Sequence, residues 1–285
     1  MNLFDSPPST KWNFLSLGAG VQSSTLALMA AQGEVKPMPD AAIFADTQAE
    51  PTKVYDYLEW LKQELPYEVH IVTKGDLKKD SVKIRTAKKG HQYVESMVPA
   101  FTVDRKGKKG MIQRQCTKNY KVVPVSRKIR QLAEVARGTK TVMATQWIGI
   151  SLDEVQRMKD SREKWLQSRW PLIEKGMTRQ DCLSWMKKHG YPEPPRSACV
   201  FCPYMKDPQW KKLQESEPES FEVAVEFEKE YNTAKKTAGG GTMENLFLHS
   251  SCVPLDQVDL STDFDHGQLA LWQDFNNDCD GMCGV

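Results

Sequence analysis

Residues 14–24 read Phe14-Leu15-Ser16-Leu17-Gly18-Ala19-Gly20-Val21-Gln22-Ser23-Ser24, an apolar run, a loop of small residues and then a helical pattern. A strand that stops in such a loop and opens a helix restricts the fold strongly, because its free N–H groups and the helix dipole favour an anion at the turn. Hydroxyls of Ser16, Ser23 and Ser24 add polar groups around the same turn. No lysine lies in the loop, so it is not a Gly-Lys-Ser/Thr phosphate loop, and Ser23 stands where a dinucleotide fingerprint has its third glycine. A phosphate cradle and a tight turn that binds nothing both remain open at this point.

The second strand pattern narrows the choice. Ala41-Ala42-Ile43-Phe44-Ala45-Asp46-Thr47 is an apolar run with polar residues at its end, and Pro51 starts a helical pattern reaching about Glu64. Ligands of open α/β sheets bind outside the carboxyl ends of the strands, where Asp46 and Thr47 would lie. A capping or turn carboxylate is the plainer reading of Asp46.

Taken together, the loop, Asp46-Thr47 and the following Pro51-Thr52-x-x-Tyr55 resemble the phosphoadenosine phosphosulfate (PAPS) reductase family, a branch of the PP-loop adenine-nucleotide enzymes, over residues 12–203. The resemblance implies a PP-loop/HUP-like, Rossmann-like α/β fold, and ATP or adenylyl sulfate/PAPS on Ser16, Gly18, Gly20, Gln22, Ser23, Ser24, Asp46 and Thr47. ATP pyrophosphatases of the group read Ser-Gly-Gly-x-Asp-Ser. Here Ala19 follows Gly18 and Gln22 holds the Asp position, which leaves ATP cleavage open.

Expected order of elements is strand 12–17, helix 22–32, strand 41–46, helix 51–64, strand 69–72, a long loop over 86–115, helix 122–136 and strand 141–150. Such alternation predicts a parallel twisted sheet flanked by helices. The strand pattern then fades. Helices are expected at 178–189, with Thr178 as N-cap, and at 208–213 and 219–236. Residues 1–160 are thus expected to form the nucleotide-binding α/β domain, and 161–285 a helical, irregular, cysteine-bearing extension.

Seven cysteines in a chain with no charged-then-apolar leader point to metal or redox chemistry in a cytoplasmic setting. Cys199-Val200-Phe201-Cys202-Pro203 has metal-ligand spacing. Cys116 is the natural third ligand. Its context, Gln115-Cys116-Thr117-x-x-Tyr120-Lys121, resembles the first cluster segment of iron–sulfur relatives that carry Cys-Cys there and Cys-x-x-Cys some eighty residues on; Gln115 replaces the first cysteine. The resemblance therefore implies a [4Fe-4S] cluster on Cys116, Cys199 and Cys202. Cys252, Cys279 or Cys283 would complete it, or one iron would stay open, as in PP-loop enzymes that thiolate tRNA. Zinc on Cys199, Cys202, Cys279 and Cys283 is the competing metal.

Reductases of the family carry a nucleophilic cysteine near the C-terminus, which makes Cys279 and Cys283 candidate catalytic thiols. The expected context is only partly present, and the surrounding tail is acidic, which disfavours a thiolate. Cys182 sits in a helical pattern and reads as packing. Asp153 and Glu154 read either as ligands of a nucleotide-bound Mg ion or as helix-start carboxylates.

Net charge is only +2, yet residues 105–130 concentrate Arg105, Lys106, Lys108, Lys109, Arg114, Lys118, Lys121, Arg127, Lys128 and Arg130. Such a segment suits a nucleic acid backbone or a polyphosphate, and also an ordinary solvated face. No apolar run is long enough for a membrane span. Three functions follow. The first is ATP-dependent sulfur transfer, with nucleic acid as acceptor and a sulfur donor as partner. The second is thiol-dependent reduction of adenylyl sulfate or PAPS, with a thioredoxin-like reductant. The third is a zinc-stabilised nucleic-acid-binding protein with an inert cradle. Assembly as a homodimer is a further expectation.

Overall fold

The computed structural model describes residues 7, 9–104, 106–239 and 245–261. Its centre is a five-stranded parallel sheet of β1 (Trp12–Leu17), β2 (Ala41–Asp46), β3 (Glu68–Thr73), β8 (Ala144–Ile148) and β9 (Leu166–Arg169), in the order β3-β2-β1-β8-β9. The chain therefore builds outward from β1 to one side and then crosses to build on the other. That reversal between β1 and β8 opens a crevice at the strands' carboxyl ends, where such sheets bind ligands.

Side-chain alternation places two cores on opposite faces of the sheet. Leu15, Leu17, Ala42 and Phe44 pack with α1 (Val21–Ala31), α2 (Thr52–Glu64) and α6 (Arg179–Lys188). Phe14, Ala41, Ile43 and Ala45 pack on the other face with Val125 and Ile129 of α4 (Val123–Leu132). Cys182 belongs to the first core, and burial pushes its thiol up to about 12. Thr178 caps α6, accepting from the Asp181 N–H while Asp181 accepts from the Thr178 N–H, a reciprocal capping box.

A third core joins α3 (Leu77–Val82), α7 (Asp207–Ser216) and α8 (Pro218–Thr237) to segments drawn from both halves of the chain. It contains Met97, Val98, Ala198–Cys202, Trp210, Phe227, Tyr231 and Leu255. A short helix, α5 (Pro171–Glu174), packs beside α1.

Four expectations change. The long loop over 86–115 is instead two antiparallel hairpins, β4 (Ile84–Thr86) with β5 (Gln92–Val94), and β6 (Phe101–Val103) with β7 (Lys109–Met111). The expected irregular stretch after 246 supplies β10 (Leu246–Phe247), which adds to β6. Nor does the sheet end before 160. β9 pairs in parallel with β8, so the boundary at 160 falls between two bonded strands. Helix 122–136 begins earlier, as one π-helical turn at Thr117–Val122 running into α4. No helix among the described residues is long and apolar enough to cross a membrane.

Candidate functional site

The crevice beside β1 is a cavity of about 460 Å³, within the range of small-molecule sites. Its floor is the small-residue loop. Ser16, Gly18, Gly20, Gln22 and Ser23 line it, and α1 opens into it with Gly20 as N-cap and no side-chain cap. The Ser23 hydroxyl accepts from the Gly18 N–H at 3.1 Å and donates to the Gly20 carbonyl at 3.3 Å, which closes the loop on itself. Ser16 accepts from Gln146 Nε2 at 2.6 Å, across the β1–β8 pair. Gln22 Nε2 reaches Ser151 Oγ at 3.4 Å, tying the helix start to the loop after β8. Ala19 is fully buried at φ 55, a left-handed backbone unusual for alanine, so the cradle carries strain at its centre.

Gly149 makes the tightest contact of the cradle. A Cβ there would stand 2.8 Å from both the Cα and the N of Ser23. Only glycine lets the end of β8 meet the start of α1.

Two of the eight expected nucleotide residues face elsewhere, and a third is held in a turn. Ser24 is fully buried in α1 and does not line the cavity. Asp46 Oδ1 accepts from the Gln48 N–H at 2.7 Å and from the Tyr55 hydroxyl at 2.9 Å, which is a turn role. Thr47 is fully buried with its Oγ1 3.3 Å from Cys199 Sγ, so it belongs to the cysteines. The reason is geometric: β2 lies on the far side of β1 from the crevice.

The cavity's charge carries no signature in the sequence. Lys53, Arg157, Arg179, Arg196 and Lys212 line it against Glu154, Glu193 and Glu217. Lys53 pairs with Glu217 at 3.1 Å, and Arg157 pairs with Glu154. Nε and Nη2 of Arg196 are buried without a hydrogen-bond partner among the described residues. Buried guanidinium nitrogens are costly unless something accepts from them. These cations come from five separate segments, so no motif announces them. Asp153 and Glu154 lie in the first turn of a 3₁₀ helix at Leu152–Arg157, and Asp153 also accepts from the Arg179 N–H at 3.0 Å.

Residues 193–205 form the opposite wall and separate two spaces. Glu193–Ala198 and Val200 face the large cavity, whereas Cys199 and Phe201–Tyr204 face a second one of about 20 Å³. Cys116 completes that smaller space from the start of the π-helical turn, so Cys116, Cys199 and Cys202 share one lining with Thr47, Arg114 and Lys121. Burial raises the Cys116 thiol above its ordinary value, and Lys121 and Arg114 pull it back. Cys252 is not with them. Its Sγ lies 3.8 Å from the Ser250 carbonyl and 4.0 Å from that of Thr102, beside β6. The β10–β6 pairing anchors that segment away from the thiols. Among the described residues no three or more His, Cys, Asp or Glu are drawn together closely enough to hold one metal ion. Cys279 and Cys283 lie outside the described residues, as does Arg105.

Much of the basic segment has structural work. Arg130 pairs with Glu163 and stacks on Trp165, Lys109 donates to the carbonyls of Ser250 and Ser251, and Arg114 sits over Tyr204. Lys106, Lys108, Lys118 and Arg127 remain exposed. His249, which a lone histidine's usual packing role would explain, is buried and bonded to Asp207 and Ser251.

No protein-family model matches the chain, and no curated protein matches it. Among solved structures it is similar to a phosphoadenylyl-sulfate (PAPS) reductase from Candida auris, crystallised as a phosphate complex, with 12% identity, 66% of this chain and 76% of that chain covered, and a TM-score of 0.38.

Proposed function

We propose that this protein is a PP-loop adenine-nucleotide enzyme that activates an acceptor with ATP and exchanges the activated oxygen for sulfur. The observation that carries the reading is the shared wall. One segment, 193–205, lines a cationic crevice at an uncapped helix start on one side and, on the other, a small space whose lining includes Cys116, Cys199 and Cys202.

The chain's own groups suit the first step. Phosphates meet the N-terminus of α1, where unpaired N–H groups and the dipole favour them. The acceptor oxygen attacks the α-phosphorus, forming a P–O bond as the bond to pyrophosphate breaks. Arg157, Arg179 and Arg196 then offset the charge gathering on the pyrophosphate oxygens. Gln22 is neutral, so it can donate or accept a hydrogen bond but does not bring the negative charge that an Asp at this position would. In the second step a sulfide-class donor attacks the activated carbon, forming the C–S bond as the C–O bond breaks and AMP leaves.

Three thiols with no carboxylate or imidazole among them are the soft donor set suited to an iron–sulfur group or zinc. Cys116, Cys199 and Cys202 would hold it, and such a cluster supplies sulfur binding and delivery. A space of about 20 Å³ admits one water-sized body, so the three thiols as they stand do not enclose a cluster. Lys106, Lys108, Lys118 and Arg127 offer a phosphate-backbone contact, which makes a nucleic acid the acceptor class favoured here.

Anaerobic purification with iron, sulfide and zinc analysis, followed by a pyrophosphate-release assay with ATP and nucleic acid, tests this. Iron and sulfide with acceptor-dependent pyrophosphate are expected. Stoichiometric zinc without pyrophosphate would overturn it.

A further inference from the structure

Between the two cavities lies a carboxylate that neither site uses directly. Glu50 follows β2, and its side chain is 0% exposed. Its Oε1 accepts from Lys121 Nζ at 3.2 Å, and its Oε2 accepts from Ser197 Oγ at 3.5 Å. Lys121 lines the thiol cavity, while Ser197 lines the cationic crevice. The neighbouring strip is stitched to the same wall. The Val200 N–H donates to the Ala49 carbonyl at 2.8 Å, and Thr47 Oγ1 meets Cys199 Sγ at 3.3 Å.

We infer that Glu50 is a positioning residue that couples the two cavities, holding Lys121 at the thiols with one oxygen and Ser197 in the nucleotide wall with the other. This rests on the nucleotide reading of the crevice. A buried carboxylate has to keep its partners, so a shift of either one is felt by the other. The Ser197 bond is at the limit of hydrogen-bond length. A phosphate oxygen entering the crevice competes for that hydroxyl. If Ser197 turns to the ligand, Glu50 is left to Lys121 alone, and the turn carrying Lys121 tightens. Nucleotide arrival is thereby registered at the thiol cavity without contact between ligand and thiols.

The test is hydrogen–deuterium exchange of the backbone over residues 117–124 of the full-length, anaerobically purified protein, with and without ATP, alongside calorimetric titration of ATP. ATP is expected to slow exchange there by about fivefold or more, a typical coupling between sites. In Glu50→Gln that effect is lost while the ATP Kd stays within about threefold. Should Glu50→Gln fold poorly, the double variant Glu50→Leu with Lys121→Met replaces the pair by apolar groups of similar size, which buried pairs tolerate; it too should bind ATP without the exchange response. No ATP binding by the unmodified protein overturns the nucleotide reading and this inference with it. Binding without an exchange response, or a response that survives in the variants, overturns this inference alone.

Discussion

Arg196 and Gly149 carry the crevice at the residue scale, and neither belongs to a recognisable motif. Arg196 keeps two buried nitrogens without partners among the described residues, a cost that a bound anion removes. Arg196→Met should therefore weaken ATP binding by about tenfold or more, about 1.4 kcal/mol, while leaving the ligand-free protein as stable or slightly more so. Calorimetry and urea denaturation on the same sample check both halves. For Gly149 the added methyl would meet backbone rather than a flexible side chain. Gly149→Ala should cost about 1–3 kcal/mol in urea denaturation and lower nucleotide affinity as well.

Glu228 shows a titration with a definite sign. Its carboxylate accepts from the Leu248 and Leu255 N–H groups at 2.6 and 2.9 Å and fixes the C-terminal segment to α8. Burial, opposed by those two bonds, raises its pKa above the ordinary 4.5. The folded state thus binds more protons than the unfolded chain between 4.5 and the raised value, so this group makes stability fall as pH rises through that window. Denaturation curves at a series of pH values should show the slope, and Glu228→Gln should abolish it while costing about 1–3 kcal/mol for the N–H left facing an amide.

Elements were legible from sequence in proportion to their length and periodicity. β1, α1, β2 and α2 combine apolar runs with Gly and Pro punctuation, and they lie where the pattern puts them, within about two residues. β9 was not legible. Leu166-Gln167-Ser168-Arg169 is four residues long with only Leu166 apolar, and only its pairing with β8 makes it a strand. The hairpins at 84–111 are built of three-residue strands, too short for a period to show; Val94 of β5 packs in the core with α8, and β6 pairs with β10. The capping box of α6 was half legible, since Thr178 announced itself and Asp181 is its reciprocal partner. Thr178→Ala should lower stability by about 1 kcal/mol without altering nucleotide binding, as thermal melts and titrations would show.

At the scale of the whole molecule, the site is made by chain segments far apart in sequence meeting at the β1–β8 reversal. The loop 16–23 was legible because local backbone chemistry defines it. The arginines at 157, 179 and 196 were not, because each is an ordinary charged residue until the fold gathers them. Cys116, Cys199 and Cys202 line one small space, but among the described residues they are not drawn together closely enough to hold one metal ion. The cysteine spacing also admitted Cys252, which the β10–β6 pairing holds elsewhere. Thr47 moved from the nucleotide to the thiols for the same topological reason, β2 lying on the far side of β1.

The central claim is that the crevice between α1 and the 193–205 wall binds an adenine nucleotide. Calorimetric titration of ATP into the unmodified protein, Arg196→Met and Gly149→Ala tests it most directly. The account predicts saturable binding to the unmodified protein and an affinity lower by about tenfold or more in each variant. No binding, or binding that both substitutions leave unchanged, would contradict it.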